Sequence, residues 1–129
     1  MQSIINISIG AILGALIRWK LGEYFNHLFP TIPIGTLAAN LIGAFLMGLV
    51  VFFSIEHSFF SYNARLGFTT GFLGSLTTFS TFSGEAFILL SKQEFVWFTA
   101  LILLYVVGSI FMLMIGYMIS KLSFQYIGG

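Results

Sequence analysis

Four long apolar stretches, parted by short polar ones, organise this chain of 129 residues. The first covers residues 3–25 and ends among Arg18, Lys20 and Glu23, whose stems can lie along apolar surface while their heads reach an interface. Pro30 and Pro33 break the segment after it. The second stretch covers residues 35–54 and exits at Glu56 and His57. The third covers 62–90, the polar turn Lys92, Gln93, Glu94 follows, and the fourth covers 95–120 up to Lys121. A hydrocarbon core about 30 Å thick takes about 20 apolar residues to cross. The pattern predicts an all-α membrane protein with four transmembrane helices in one domain spanning residues 1–129.

The third stretch is too long for a straight span. Its roughly 29 residues would reach about 43 Å as a continuous helix. It also holds the run GFLGSLTTFSTFSGE, Gly71 to Glu85, with six hydroxyl side chains and three glycines. Leu or Val would insert better, and each glycine weakens a helix by about 1 kcal/mol relative to Ala. A break near residues 74–78 accounts for both the length and the composition. Carbonyls and N–H groups freed by a break at mid-membrane can bind ions.

Composition supports the membrane assignment. Only 7% of residues are charged and 58% are hydrophobic, whereas soluble domains carry about 25% charged residues. The absence of cysteine excludes disulfides, thiolate metal sites and cysteine nucleophiles. A net charge of +1 without a basic run argues against a nucleic-acid partner. No Lys or Arg precedes the first stretch and no cleavage site follows its apolar part, so it reads as a retained span and not a signal peptide.

With four spans, the termini and the middle loop share one side. Arg65 and Lys121 lie on that side, and Arg18, Lys20 and Lys92 on the other. Orientation follows Lys/Arg asymmetry, and two against three is nearly none. Such a chain can insert both ways and form an antiparallel dimer; alternatively, one residue of bias or the insertion machinery fixes a single orientation. The pairs Gly10/Gly14 and Gly67/Gly71, with the step Ala39/Gly43, predict close helix packing within or between chains.

Candidate chemistry concentrates in the third stretch and opposite it. Phe79 and Phe82 are three apart and share a helix face. Their positive ring edges suit a small anion, although two phenylalanines among sixteen are ordinarily packing. Asn40, in the middle of the second span, is costly unless paired. It offers two donors, for an anion or for a neighbouring helix. Tyr105 and Ser109 face together on the fourth span and can continue a donor track. Arg18 can draw anions to a vestibule or snorkel, and Glu85 can carry a proton or serve structure. His27 and His57 fall in loops with no metal-ligand spacing. No nucleophile–base constellation is present, so an enzyme is not expected.

The run GFLGSLTTFSTFSGE, with Arg18 upstream, GTLAANLIG at 35–43 and YVVGS at 105–109, resembles the bacterial fluoride channel family called Fluc or CrcB over essentially the whole chain. The resemblance implies a passive channel exporting fluoride across the bacterial inner membrane, built as a dual-topology antiparallel homodimer with two pores. It implies that Phe79 and Phe82 line the pore, that Asn40 is a donor beside the fluoride path, and that Thr78, Thr81, Tyr105 and Ser109 form a hydroxyl track. It further implies a central sodium ion held by the backbone carbonyls of Gly74 and Thr77. Arg18 and Glu85 match the family's charged positions as vestibule or structural charges. The chain departs from the pattern at Ser75, where many members have glycine, and at Leu113, where some have a hydroxyl.

Two other functions remain compatible with the residues alone. A proton-coupled exporter of cationic compounds needs an embedded carboxylate, for which Glu85 is the candidate. A non-conducting assembly protein fits the small-residue faces but leaves Asn40 and the hydroxyl cluster without a use.

Overall fold

The computed structural model describes residues 1–58 and 60–128, and among them all regular structure is helical. Helix α1, Gln2–Phe25, is uninterrupted. A single 3-10 turn, Asn26–Leu28, follows, and Pro33 stands directly before helix α2, Ile34–Val50, which continues into a wide π-type turn, Val51–Glu56. Proline suits that position because α2 asks no N–H of it. The third stretch is two helices. The first, α3, spans residues 62–76 and comprises Tyr62–Leu66, a wide turn Gly67–Leu73 and a final turn Gly74–Leu76. The second, α4, is Phe79–Ser91. Helix α5 runs Phe95–Gly128 and contains a third wide turn, Leu103–Val107.

Three of these segments, Gln2–Leu28, Ile34–Ser54 and Phe95–Gly128, are each long and apolar enough to cross a membrane. With the interrupted α3–α4 counted as one stretch, the described residues form four long helical stretches. The break falls at Thr77 and Thr78, both extended with ψ of 155° and 122°, within the 74–78 window predicted from composition. Thr78 then caps α4, its Oγ1 accepting the Thr81 N–H at 3.2 Å, so the hydroxyl that interrupts one helix starts the next.

One boundary differs from the sequence reading. The last helix does not end at residue 120 but continues to Gly128. Lys121 marks where the chain leaves the apolar zone, but a lysine is a good helix former. No proline or glycine intervenes before Gly128.

Glycines set the helix crossings. A β-carbon at Gly10 would run into the carbonyl of Gly67, and one at Gly14 into the Phe72 carbonyl and the Ser75 hydroxyl. On the other side of the molecule, α2 and α5 meet at Gly48 and Gly116, where a methyl at Gly48 would strike the Leu113 carbonyl. These are the small-residue contacts that bring membrane helices together without a hydrophobic drive. The outward faces remain apolar, as in Ile5, Ile9, Ile12 and Leu16 of α1. Inside lie two compact clusters, one around Leu37, Phe82, Leu89, Leu101 and Tyr105 and one around Ala39, Val50, Leu73 and Leu76.

Candidate functional site: a polar cleft at the helix break

Two unwound residues in the middle of an apolar span leave peptide groups that hydrocarbon cannot satisfy. The neighbouring helices supply partners. Asn40 of α2 holds the break from one side: its Oδ1 accepts the Thr78 N–H at 2.8 Å and its Nδ2 donates to the Thr78 carbonyl at 3.1 Å. Arg18 of α1 holds it from another, its Nε donating to the Ser75 carbonyl at 2.8 Å. The Ser75 hydroxyl, over Gly14, donates to the Phe72 carbonyl at 3.1 Å. Serine fits here because α1 offers no side chain at Gly14.

Around the break opens a cleft of about 630 Å³, walled by α2, α3, α4 and α5. It brings together Asn40, Gly74, Thr77, Thr78, Phe79, Phe82, Tyr105 and Ser109, all singled out from sequence. Leu113 and Met47 also contribute to the wall, with Thr69 and Thr70 of α3. The threonines had carried no signal because they lie outside the dense hydroxyl run. Thr81, Arg18 and Glu85 do not line the cleft. Thr81 Oγ1 accepts from Thr78 Oγ1 at 3.1 Å, and Glu85 accepts from the Tyr105 hydroxyl at 3.3 Å.

The two phenylalanines differ in surroundings. Phe82 is 7% exposed and stacks on Tyr105 with ring centroids 4.8 Å apart; Phe79 is 78% exposed. They meet at 5.7 Å with their rings inclined at 61°, and both line the cleft. Thr36, one turn before Asn40, is turned elsewhere: its N–H donates to Asn26 Oδ1 at 2.9 Å, and its hydroxyl accepts from Asn26 Nδ2 at 3.1 Å. His57 is stacked against Phe124 and packed on Phe52, each at 4.6 Å.

The carbonyls of Gly74 and Thr77 are the candidate ligands for a cation. In an unbroken helix each would accept the N–H four residues on. The Thr78 N–H goes instead to Asn40 and the Thr81 N–H to Thr78 Oγ1. Two neutral backbone oxygens freed at one break are hard donors suited to a hard monovalent ion.

An interrupted helix held by side chains from its neighbours, with a polar cleft alongside, defines a multi-pass helical membrane protein whose polar centre lies within its spans. Residues 5–117 match the family model described as CrcB-like protein, Camphor Resistance (CrcB), and the chain belongs to that family. It is 46% identical over 120 residues to a protein of Nitrosospira multiformis named fluoride-specific ion channel FluC, covering 93% of this chain and 94% of the relative. A protein of the same name from Pseudomonas syringae pv. maculicola is 45% identical over 128 residues, covering 99% and 98%. The family resemblance carried by the TTFSTFS run is borne out.

Proposed function

We propose that this chain is a channel that lets fluoride leave the cytoplasm passively, as the names of its relatives suggest. The observation that carries the reading is the cleft. Asn40, Phe79, Phe82, Tyr105 and Ser109 line it, and no lysine or arginine is among its lining residues. Fluoride holds water tightly, so a pore must replace that shell with donors. Neutral donors and ring edges do so without the deep electrostatic trap that a fixed positive charge would make. An amide carries two N–H groups, and the bond to Thr78 uses one of them.

A second, antiparallel copy completes the reading. Phe79 is 78% exposed, and Thr70, Ser80 and Thr81 are exposed beside it. Hydroxyls facing lipid are unfavourable, so a partner and a water-lined path cover them better than acyl chains. Opposed copies need nearly balanced charge at the two membrane faces, as the sequence has. Gly74 and Thr77 of each copy would then hold a sodium ion between them, where its charge would join the two broken helices and add positive potential near the path. The location that fits is the bacterial inner membrane.

The test is fluoride efflux from liposomes containing the purified protein, read by electrode with and without a proton gradient. Efflux in both conditions is the expected result. Absence of efflux overturns the proposal, and efflux only with the gradient favours a coupled exporter.

A further inference from the structure

We infer that the hydroxyl of Thr70 donates a hydrogen bond to the passing fluoride ion, on the middle-loop side of the helix break. The inference rests on the channel reading and adds to it a residue that touches the ion.

Hydroxyls of Thr69, Thr70, Thr77, Thr78, Tyr105 and Ser109 belong to residues that line the cleft. Each hydroxyl has one proton to donate, and most of these protons are committed. Thr69 Oγ1 donates to the Arg65 carbonyl at 2.7 Å, and Thr77 Oγ1 to the Leu73 carbonyl at 2.8 Å. Thr78 Oγ1 donates to Thr81 Oγ1 at 3.1 Å, and the Tyr105 hydroxyl to Glu85 at 3.3 Å. Thr70 and Ser109 remain, and neither hydroxyl has a hydrogen-bond partner among the described residues.

A threonine inside a helix ordinarily bonds a carbonyl three or four residues back, as Thr69 and Thr77 do. Thr70 does not, although it shares the wide turn Gly67–Leu73 with Thr69. Both neighbours line the cleft. The hydroxyl of Thr69 is held by the backbone, whereas Thr70 is exposed with its proton free. Wide turns of this kind recur at functional sites.

Position gives the free hydroxyl its use. Asn40 marks the level of the break, through its bonds to Thr78. Thr70 precedes the break by seven residues, about 10 Å of helix, toward the middle loop. In that direction α2 adds Gly43, Ala44 and Met47 to the wall, α3 adds Leu73 and α5 adds Leu113. None of these side chains carries a donor. An anion that leaves Asn40 this way must trade its amide donor for water or for another hydroxyl. Ser109 offers one on the α5 wall and Thr70 one on the α3 wall. Thr69 serves only by giving up its bond to the Arg65 carbonyl.

Fluoride efflux from liposomes at matched protein density tests the inference, with the full-length wild type, Thr70→Val, Thr70→Ala and Thr70→Ser. Valine keeps the branch of threonine and removes the hydroxyl; serine keeps the hydroxyl and removes the methyl. Thr70→Val and Thr70→Ala should slow the initial rate about tenfold, the effect of one hydrogen bond to an ion, and Thr70→Ser should stay within about twofold of wild type. Melting temperature and oligomer mass should not change, because Thr70 is exposed and bonds nothing within the subunit. Should Thr70→Val not fold, Thr70→Ala carries the comparison. Wild-type rates in Thr70→Val and Thr70→Ala overturn the inference, and so does a Thr70→Ser variant as slow as they are. A changed oligomer mass in both slow variants also overturns it and assigns the hydroxyl to a contact between copies. No efflux from the wild type removes the channel reading itself, so the wild-type arm alone tells the two failures apart.

Discussion

Asn40 and Thr78 form a closed pair: the carboxamide both accepts from and donates to the same peptide residue, at 2.8 and 3.1 Å. The side chain thus replaces two rungs of helix at the point where the helix stops. Asn40→Ala leaves a donor and an acceptor unpaired inside the membrane, at about 1–3 kcal/mol for each buried group. The expected outcome is a lower melting temperature of the purified protein together with loss of fluoride efflux. An unchanged melting temperature would separate Asn40 from the integrity of the break.

Phe79→Ile and Phe82→Ile should both impair efflux but differ in stability. Phe82 is buried and stacked on Tyr105, and aromatic pairs contribute about 0.5–1.5 kcal/mol beyond burial. Phe79 is exposed in the subunit, so its loss should leave subunit stability nearly unchanged. Thermal melts alongside efflux check this, and wild-type efflux in both variants would remove the rings from the path.

Arg18→Gln should weaken the fold without altering how flux responds to ionic strength. The guanidinium is committed to the Ser75 carbonyl, and a hydrogen bond from a charged donor is worth about 1.5–3 kcal/mol. A vestibule charge would behave otherwise: its removal would reduce flux most at low salt. Efflux measured at several salt concentrations distinguishes the two.

If sodium joins two copies as proposed, replacing it by a bulky organic cation should lower both thermal stability and fluoride flux. Thr77→Ser should preserve the sodium response because backbone oxygens are the proposed ligands. Thr78→Pro should abolish it, since proline restricts the residue before it and removes the N–H that Asn40 accepts. Equal melting curves and flux in the two cations would remove sodium from the account.

Gln93→Gly should raise the melting temperature by a few degrees. Gln93 has φ 58°, where a side chain costs about 1–2 kcal/mol. The turn closes with Gln93 N–H on the Leu90 carbonyl and Glu94 N–H on the Leu89 carbonyl, a helix end that favours glycine. A lower melting temperature would show that the glutamine side chain compensates elsewhere.

The four apolar stretches and the break were legible because each depends on local composition: Pro30 and Pro33 between spans, charges at the exits, glycines and hydroxyls at the interruption. Asn40, Thr77, Thr78, Tyr105 and Ser109 of the cleft were legible for the same reason, since polar groups in an apolar span are conspicuous. What they hold was not. Arg18 reaches a carbonyl 57 residues away and Asn40 one 38 residues away, and no spacing rule links such pairs. The pairing of Tyr105 with Glu85 is likewise tertiary. Thr69 and Thr70 enter the cleft through the wide turn Gly67–Leu73, which ordinary helical spacing does not foresee. The contact of Gly10 with Gly67 was foreseen as helix packing within or between chains.

The wide turn at Leu103–Val107 has a consequence for which insertions and deletions α5 can absorb. A turn that closes over five residues accommodates one residue more than a regular turn. Loss of a residue there lets the backbone relax to ordinary pitch while the helix beyond keeps its heading. Val107, exposed on the outer face, is the residue the fold can do without. The same loss at Met114 has no slack to draw on and rotates everything after it by about 100°. Gly116 would then swing off Gly48, and a side chain would arrive where two backbones touch. Between the wide turn and Gly116, loss of a residue is therefore costlier than loss within the turn.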